Sequence, residues 1–381
     1  MNTDQRYDYI IAGAGCAGLS LLVHMIHSGL LGDKKILLID REAKQQNDRT
    51  WCFWEKNCSL FEPIVYRQWE QTWFHGTGFS SLLQLAPYTY KLIRGIDFYK
   101  YCLELICQQC NIDILQVEVE QVYSEANDTY LIAGGRKIHA DYIFSSILPA
   151  RLPLRKNDHS LLQHFKGWVI DTDTPVFHPE QATLMDFRAI QEHGCAFAYV
   201  MPFSSTRALV EFTLFTGQLL QPMQYEEGLR LYIHRFITQG PYRIAEEEYG
   251  IIPMTSYRFP VHHHRIVYIG TAGGQTRASS GYTFRFIQKH SAAIVASLLR
   301  SGQPFVPAPP RRFHFYDRVL LDILHNRNEK GKRIFSELFR KNKPQQVLRF
   351  LDNESSPGQE LGLIASLPAR PFLQAALRQL R

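Results

Sequence analysis

The chain has 381 residues, a formal net charge of +6, 45% hydrophobic residues and a mean hydropathy of −0.21. This composition excludes an integral membrane protein, since no apolar run reaches the roughly 18–20 residues a spanning helix needs, and it leaves ample chain for one large or two medium domains. Residues 301–381 hold 14 Lys and Arg against 7 Asp and Glu, so the basic character belongs to the C-terminal fifth. A nucleic-acid partner is not expected from that distribution. The seven cysteines, irregularly spaced, do not form a disulfide framework and point to a reducing compartment.

The first predicted strand, Tyr9–Ala12, is a short buried run and not a targeting segment. It enters Gly13-Ala14-Gly15-Cys16-Ala17-Gly18, after which Leu19, Leu22, Val23 and Ile26 mark one face of a helix. The glycines fit the dinucleotide pattern G-x-G-x-x-G: a tight turn, a close approach of backbone to pyrophosphate, and close packing of helix on strand. A second strand, Lys35–Asp40, ends in a carboxylate 22 residues after Gly18, placed for an adenosine ribose. Gly13, Ala14, Gly15, Ala17, Gly18, Asp40 and Arg41 are therefore the candidate cofactor-binding residues of this half of the site.

An aromatic segment, Asp48-Arg-Thr-Trp51-Cys-Phe-Trp54, comes next, then an aromatic, turn-rich stretch from Trp69 to Tyr90. A helix over Asp97–Cys110 is followed by strand-like runs at Ile112–Tyr123, Thr129–Ala133 and Tyr142–Ser146. Strand–helix–strand, a meander and a returning strand is the layout of two-dinucleotide-binding-domain flavoproteins. From about Arg151 short strands dominate, at Gly167–Ile170, Thr183–Phe187, Ala196–Met201 and Ala208–Phe215, with a covering helix over Glu226–Thr238. The chain returns through Ile266–Gly270 to Thr271-Ala-Gly273-Gly274 and a long helix from Phe284 to Leu299, and Pro304–Pro310 leads into basic helices.

The expected fold is α/β. A Rossmann-like FAD-binding domain (1–150 and 250–303) carries an inserted, mostly antiparallel α+β substrate domain (151–249), and a basic helical segment (304–381) follows. No metal is expected: Cys107-x-x-Cys110 has no second pair, and the side chains of His262-His-His264 do not converge.

The chain resembles the flavin-dependent lycopene cyclases, in particular the single-chain bacterial β-cyclases. The matching stretches are Gly13–Gly18, Asp48–Trp54, Leu184-Met-Asp-Phe187, Ala208-Leu-Val-Glu211-Phe-Thr213, Ile252-Pro-Met254, Gly270–Gly274 with Ser280-Gly-Tyr282, and Val347–Leu351. Thr271 stands where many flavoproteins have Asp, which passes the ribityl contact to backbone or to Ser279 and Ser280. Phe212 stands where related cyclases carry a second acid, leaving Glu211 alone.

The resemblance implies acid-catalysed, redox-neutral closure of the ends of lycopene to β-rings, giving β-carotene via γ-carotene. It also implies FAD, active when reduced, with NAD(P)H as reductant. Glu211 is the candidate acid, on one strand face with Leu209 and Thr213. Asp186 is the runner-up acid or a partner of Glu211. Arg49, Thr50, Gly270, Gly273 and Gly274 are placed at the flavin, and Trp51, Phe53, Trp54 and Tyr282 along the substrate. A flavin-dependent hydroxylase or prenyl reductase acting on an isoprenoid is the alternative. The run Gly331–Lys343, with Ile334, Phe335, Leu338 and Phe339 at helical spacing between basic ends, fits contact with an anionic bilayer; the other reading is a helix that packs its apolar face on the domain, and such a helix could still present its basic side to lipid. The expected location is cytoplasmic, peripherally attached to membrane.

Overall fold

The computed structural model describes residues 5–30, 32–125 and 128–379. The nucleotide-binding half starts with strand β1 (Gln5–Ala12), helix α1 (Cys16–His27) and strand β2 (Ile36–Asp40). Ile10, Ile11 and Ala12 are completely buried, as expected of a parallel strand covered on both faces. Gly13 has φ +107, and a Cβ on Gly18 would lie 2.0 Å from the Gly13 carbonyl oxygen. Only glycine lets α1 sit this close to the turn.

The chain then leaves this half. Strand β3 (Thr50–Glu55) pairs with β7 (Thr89–Arg94), and β4 (Arg67–Trp69) completes a three-stranded sheet. Between them the hairpin of β5 (Gln71–Gly76) and β6 (Phe79–Gln84) joins a different sheet, described below. Helix α2 (Gly95–Cys107) leads back to β8 (Ile112–Gln116). The antiparallel meander of β9 (Val119–Glu125), β10 (Asp128–Ala133) and β11 (Arg136–Ser145) follows. β11 returns parallel to β1, as the sequence predicts.

The substrate half is a seven-stranded sheet. It contains β12 (Ser160–Thr172), β13 (Gln181–Asp186), β14 (Cys195–Pro202), β15 (Arg207–Thr216) and β16 (Tyr242–Thr255), in the order β16-β12-β15-β14-β13-β5-β6. Helix α3 (Pro222–Phe236) covers one face, where Val210, Phe212 and Leu214 meet Tyr225, Leu229 and Ile233. Two expected boundaries are corrected. The β5–β6 hairpin, drawn from the first 150 residues, belongs to this sheet, and β16 runs past residue 250. β16 is an edge strand rich in charge, so its alternation carries no apolar signal.

The short exposed β17 (His262–His263) and β18 (Ile266–Tyr268) close the parallel sheet, whose order is β17-β18-β11-β1-β2-β8. Helix α4 (Phe284–Ser301) packs on α1. The C-terminal helices are α5 (Arg311–Asn326), α6 (Gly331–Lys341), α7 (Pro344–Leu351), α8 (Pro357–Ala365) and α9 (Ala369–Gln379).

The apolar face of α6 is packed on the domain and not free for lipid, which leaves only the basic side of the helix for the contact expected of residues 331–343. Ile334, Phe335, Leu338 and Phe339 are all buried, Phe339 stacks on Phe74 at 4.3 Å, and Phe335 lies against Phe187. On its exposed side Arg340 and Lys341 pair with Glu337 at 2.5 and 2.7 Å.

Candidate functional site

A cavity of about 460 Å³ runs between the two halves, lined at one end by Gly15, Cys16 and Ala17 and at the other by Glu211. At the first end α1 begins at Cys16 with no side-chain cap and no acid in its first turn, so the opening N–H groups face the cavity free of protein carboxylates. A Cβ on Gly15 would meet nothing within 4 Å, whereas one on Gly13 or Gly18 would collide. The turn is thus built tightly on its inner side and left open where an anion would sit. Gly270 (φ +64) brings the loop after β18 against Ala17, where a Cβ would lie 2.8 Å from the Ala17 Cβ. Thr271, Thr276 and Ser280 line the wall between, and the buried Ser280 hydroxyl has no partner among the described residues. This cradle, with Arg49 beside it, fits a dinucleotide.

At the far end four strands put one residue each on a common row. Register aligns Tyr199 of β14 with Glu211 of β15, Glu211 with Gly167 of β12, and Gly167 with Glu248 of β16. Glycine at 167 lets the two glutamates lean over the strand between them, and a Cβ there would lie 2.9 Å from Glu248 Cγ and 3.0 Å from Leu209 Cδ1. Across Gly167 the two carboxyls are close enough to influence each other's protonation. Thr213 donates to Glu211 Oε1 at 2.5 Å, and Thr50 donates to Glu248 Oε2 at 2.7 Å.

Burial, then the neighbouring carboxyl, pushes Glu211 well above the ordinary carboxylate range. Burial also raises Glu248, opposed by hydrogen bonds from Thr50 and Glu211 that favour its anion. Both carboxyls therefore hold a proton more readily than an exposed glutamate does. Tyr199, Tyr282, Cys52 and Met201 complete this apolar end of the cavity. Tyr282 is carried on a loop fastened by buried Arg277, which binds Asp317 at 3.2 Å and the carbonyl of Leu351 at 2.7 Å.

Glu211, Arg49, Thr50, Trp51, Gly270 and Tyr282 thus reach the cavity as expected, alongside Gly15 and Ala17. Other expected residues do not. Asp186 is fully buried outside the cavity, held by Arg188 through two nitrogens (2.6 and 2.9 Å) and by the Tyr232 hydroxyl (2.7 Å). It is a partnered structural carboxylate, not a partner of Glu211.

Phe53 stacks on Phe284 at 4.4 Å in the nucleotide-side core, and Trp54 is buried behind Tyr282. Strand alternation and the core claimed both. Asp40 receives the Ala14 N–H at 2.6 Å and the Glu42 N–H at 2.8 Å, so it fixes the glycine turn, and exposed Arg41 points to Glu42. Gly273 is a turn residue packed on the Tyr268 carbonyl, and Gly274 is the left-handed residue that ends that turn. Of the two serines considered for Thr271's missing carboxylate, Ser279 is committed to Asp317, and Ser280 has no hydrogen-bond partner among the described residues. Glu248 was missed: Glu246-Glu247-Glu248 reads as a solvated face. The available signal was Gly167 inside an apolar strand, a mark of close approach by another group.

The fold and the cradle define this molecule as a member of the flavoprotein fold class. A flavoprotein/dehydrogenase from Cytophaga hutchinsonii shares the fold with a TM-score of 0.64 over 99% of both chains at 15% identity. HpxO of Klebsiella pneumoniae, solved with FAD and uric acid, matches at 0.62 over 96% of this chain and 97% of that one, 14% identical. A geranylgeranyl bacteriochlorophyll reductase-like protein from Thermoplasma acidophilum matches at 0.59, covering 97% and 96%, with 11% identity. At these identities the likeness is one of fold.

The chain belongs to the lycopene cyclase family: the family profile described as lycopene cyclase protein matches residues 8–377. A relative from Arabidopsis thaliana, lycopene beta cyclase, chloroplastic, is 29% identical over 177 residues, which are 42% of this chain and 34% of that protein. The match spans about a third of the relative's length.

Proposed function

We propose that this protein is a lycopene β-cyclase that closes the linear ends of lycopene to β-rings by acid catalysis without net redox change. The observation that carries this is the Glu211 carboxyl, set at the apolar end of a cavity whose other end is the nucleotide cradle, where burial favours its protonated form. The Glu211 carboxyl gives its proton to the terminal double bond of the substrate. The C5=C6 double bond attacks the resulting tertiary cation, and a different proton is then lost, so electrons balance. Tyr199 and Tyr282 line this end, and among the described residues no cation is hydrogen-bonded to Glu211, which suits a carbocation.

Gly15, Ala17, Arg49, Gly270 and Ser280 would hold FAD. When bound in its reduced form, with NAD(P)H as reductant, FAD would supply negative charge beside the cation. The test is incubation with lycopene, FAD and NADPH without oxygen, followed by pigment analysis. β-Carotene formed by way of γ-carotene, and absent with Glu211→Gln, is the expected result. NADPH consumed in proportion to product, or a need for oxygen, would instead assign a hydroxylase or reductase.

A lipid-soluble substrate calls for contact with a membrane. Among the described residues no helix is long and apolar enough to cross one, and the protein in this reading docks on the cytoplasmic surface. With the α6 face buried, residues 147–156 take that role. Beside cavity residue Ser146 they expose Ile147, Leu148 and Leu154 together with Arg151, Arg155 and Lys156. Replacing these three cations with Gln should release the protein from anionic liposomes at low salt, while replacing Arg340 and Lys341 should not. Co-sedimentation decides between the two surfaces.

A further inference from the structure

We infer that Glu248 is a positioning residue for the acid: it shares a single proton with Glu211 across Gly167 and, as the standing anion of the pair, keeps that proton on Glu211. This rests on the reading of Glu211 as the proton donor.

The geometry assigns the two carboxyls unequal roles. Glu211 faces the cavity. Glu248 lies behind it and is reached instead by a cleft of about 20 Å³, room for about one water, lined by Asn47, Thr50, Arg94 and Glu246. The Thr50 hydroxyl donates to Glu248 Oε2 as Thr213 donates to Glu211 Oε1, so each carboxyl has one oxygen already served by a hydroxyl. The other oxygen, Glu248 Oε1, finds no donor among the described groups other than a protonated Glu211. A proton on Glu211 therefore satisfies an otherwise orphaned buried acceptor.

The groups facing the pair are Thr213 on β15, Glu246 on β16, Asp48 and Arg49 before β3, Cys52 on β3, Tyr199 on β14, Tyr282, and Arg94 at the cleft. Of the two arginines, Arg49 is bound to Asp48 and Arg94 to Asp97, so among the described residues no cation is hydrogen-bonded to either glutamate. Like charges this close do not both ionise readily, so the pair carries one proton.

The proton balance follows. Before the reaction the pair holds one proton and one negative charge. Donation by Glu211 leaves two carboxylates facing a substrate cation. Loss of a different proton from that cation restores one proton to the pair, and no other reactant is needed.

The experiment is the pH profile of kcat and KM for Glu248→Gln and Glu248→Asp, with an infrared titration of the carboxylic-acid C=O band in the flavin-loaded protein. Gln removes the anion and offers an N–H to Glu211. Glu211 then ionises more easily, and the alkaline limb of kcat moves to lower pH by about one unit or more, with KM unchanged. Asp restores the charge and moves the limb back toward wild type. In wild type the acid band persists into alkaline pH; it is absent in Glu211→Gln and titrates earlier in Glu248→Gln.

Should Glu248→Gln fail to fold, Thr50→Val tests the same claim. Loss of the hydroxyl makes Glu248 take up a proton more readily, which moves the acid limb to higher pH. An unshifted limb and an unshifted band in a folded variant overturn the inference while leaving Glu211 as the acid. An active Glu211→Gln overturns the reading beneath it.

Discussion

One sheet carries two acidic sites, Asp186 fully buried and Glu211 half-buried at the cavity, that differ in what surrounds them. Asp186, at the end of β13, has a guanidinium and a phenol on its oxygens. Glu211, two strands of chain later on β15, has a hydroxyl and a second acid. The first arrangement spends its charge on holding β13 to α3 through Tyr232. The second leaves a proton in an apolar cavity with nothing positive to neutralise it. Burial of an acid is common to both sites, and the partners decide which one can do chemistry.

The comparison is broken most severely at Glu211. Glu211→Gln keeps the shape and removes the proton, and product formation should fall by about 10²–10⁴-fold, the ordinary worth of a general acid, with flavin content retained. Pigment analysis against bound flavin measures it. At the other site the effect should appear in stability. Asp186→Asn leaves Arg188 and Tyr232 facing a neutral amide and should cost about 2–3 kcal/mol in urea unfolding, with turnover per folded molecule unchanged.

Gly167→Ala tests the space between the glutamates. A methyl 2.9 Å from Glu248 Cγ and 3.0 Å from Leu209 must push one of them aside. Overpacking of about 1–3 kcal/mol is expected, with turnover falling further than the loss of folded protein explains.

How far the chain could be read in advance follows the same division between local and non-local information. The glycine turn, the return of β11 beside β1, the late strand–glycine unit and the face of β15 carrying Leu209, Glu211 and Thr213 were legible, because each is fixed by short-range spacing. Glu248 was not, since its place comes from the register of an edge strand against β12. The face of α6 stayed open in the sequence because an apolar stripe at helical spacing looks the same whether it meets lipid or Phe74. Trp51 and Trp54 were read together, yet β3 passes between two cores, leaving Trp51 at the cavity and Trp54 buried.

The smallest expected effect sharpens the contrast in stability. Glu211 holds its proton in the folded state at pH values where the unfolded chain has released it. The folded state thus binds more protons, and stability is lost as pH rises above the usual carboxylate range. Glu211→Gln escapes this loss, so its Tm advantage over wild type should be near zero at pH 4 and grow by a few degrees toward pH 8. Scanning calorimetry at the two pH values checks it.

The most direct test of the central claim is the reaction in heavy water with lycopene, FAD and NADPH under exclusion of oxygen, read by mass spectrometry of the carotenoid. Proton donation from an exchangeable carboxyl predicts one non-exchangeable deuterium for each ring closed, with NADPH not consumed in proportion. Rings free of deuterium, or hydrogen delivered from the nicotinamide, would contradict acid catalysis by Glu211.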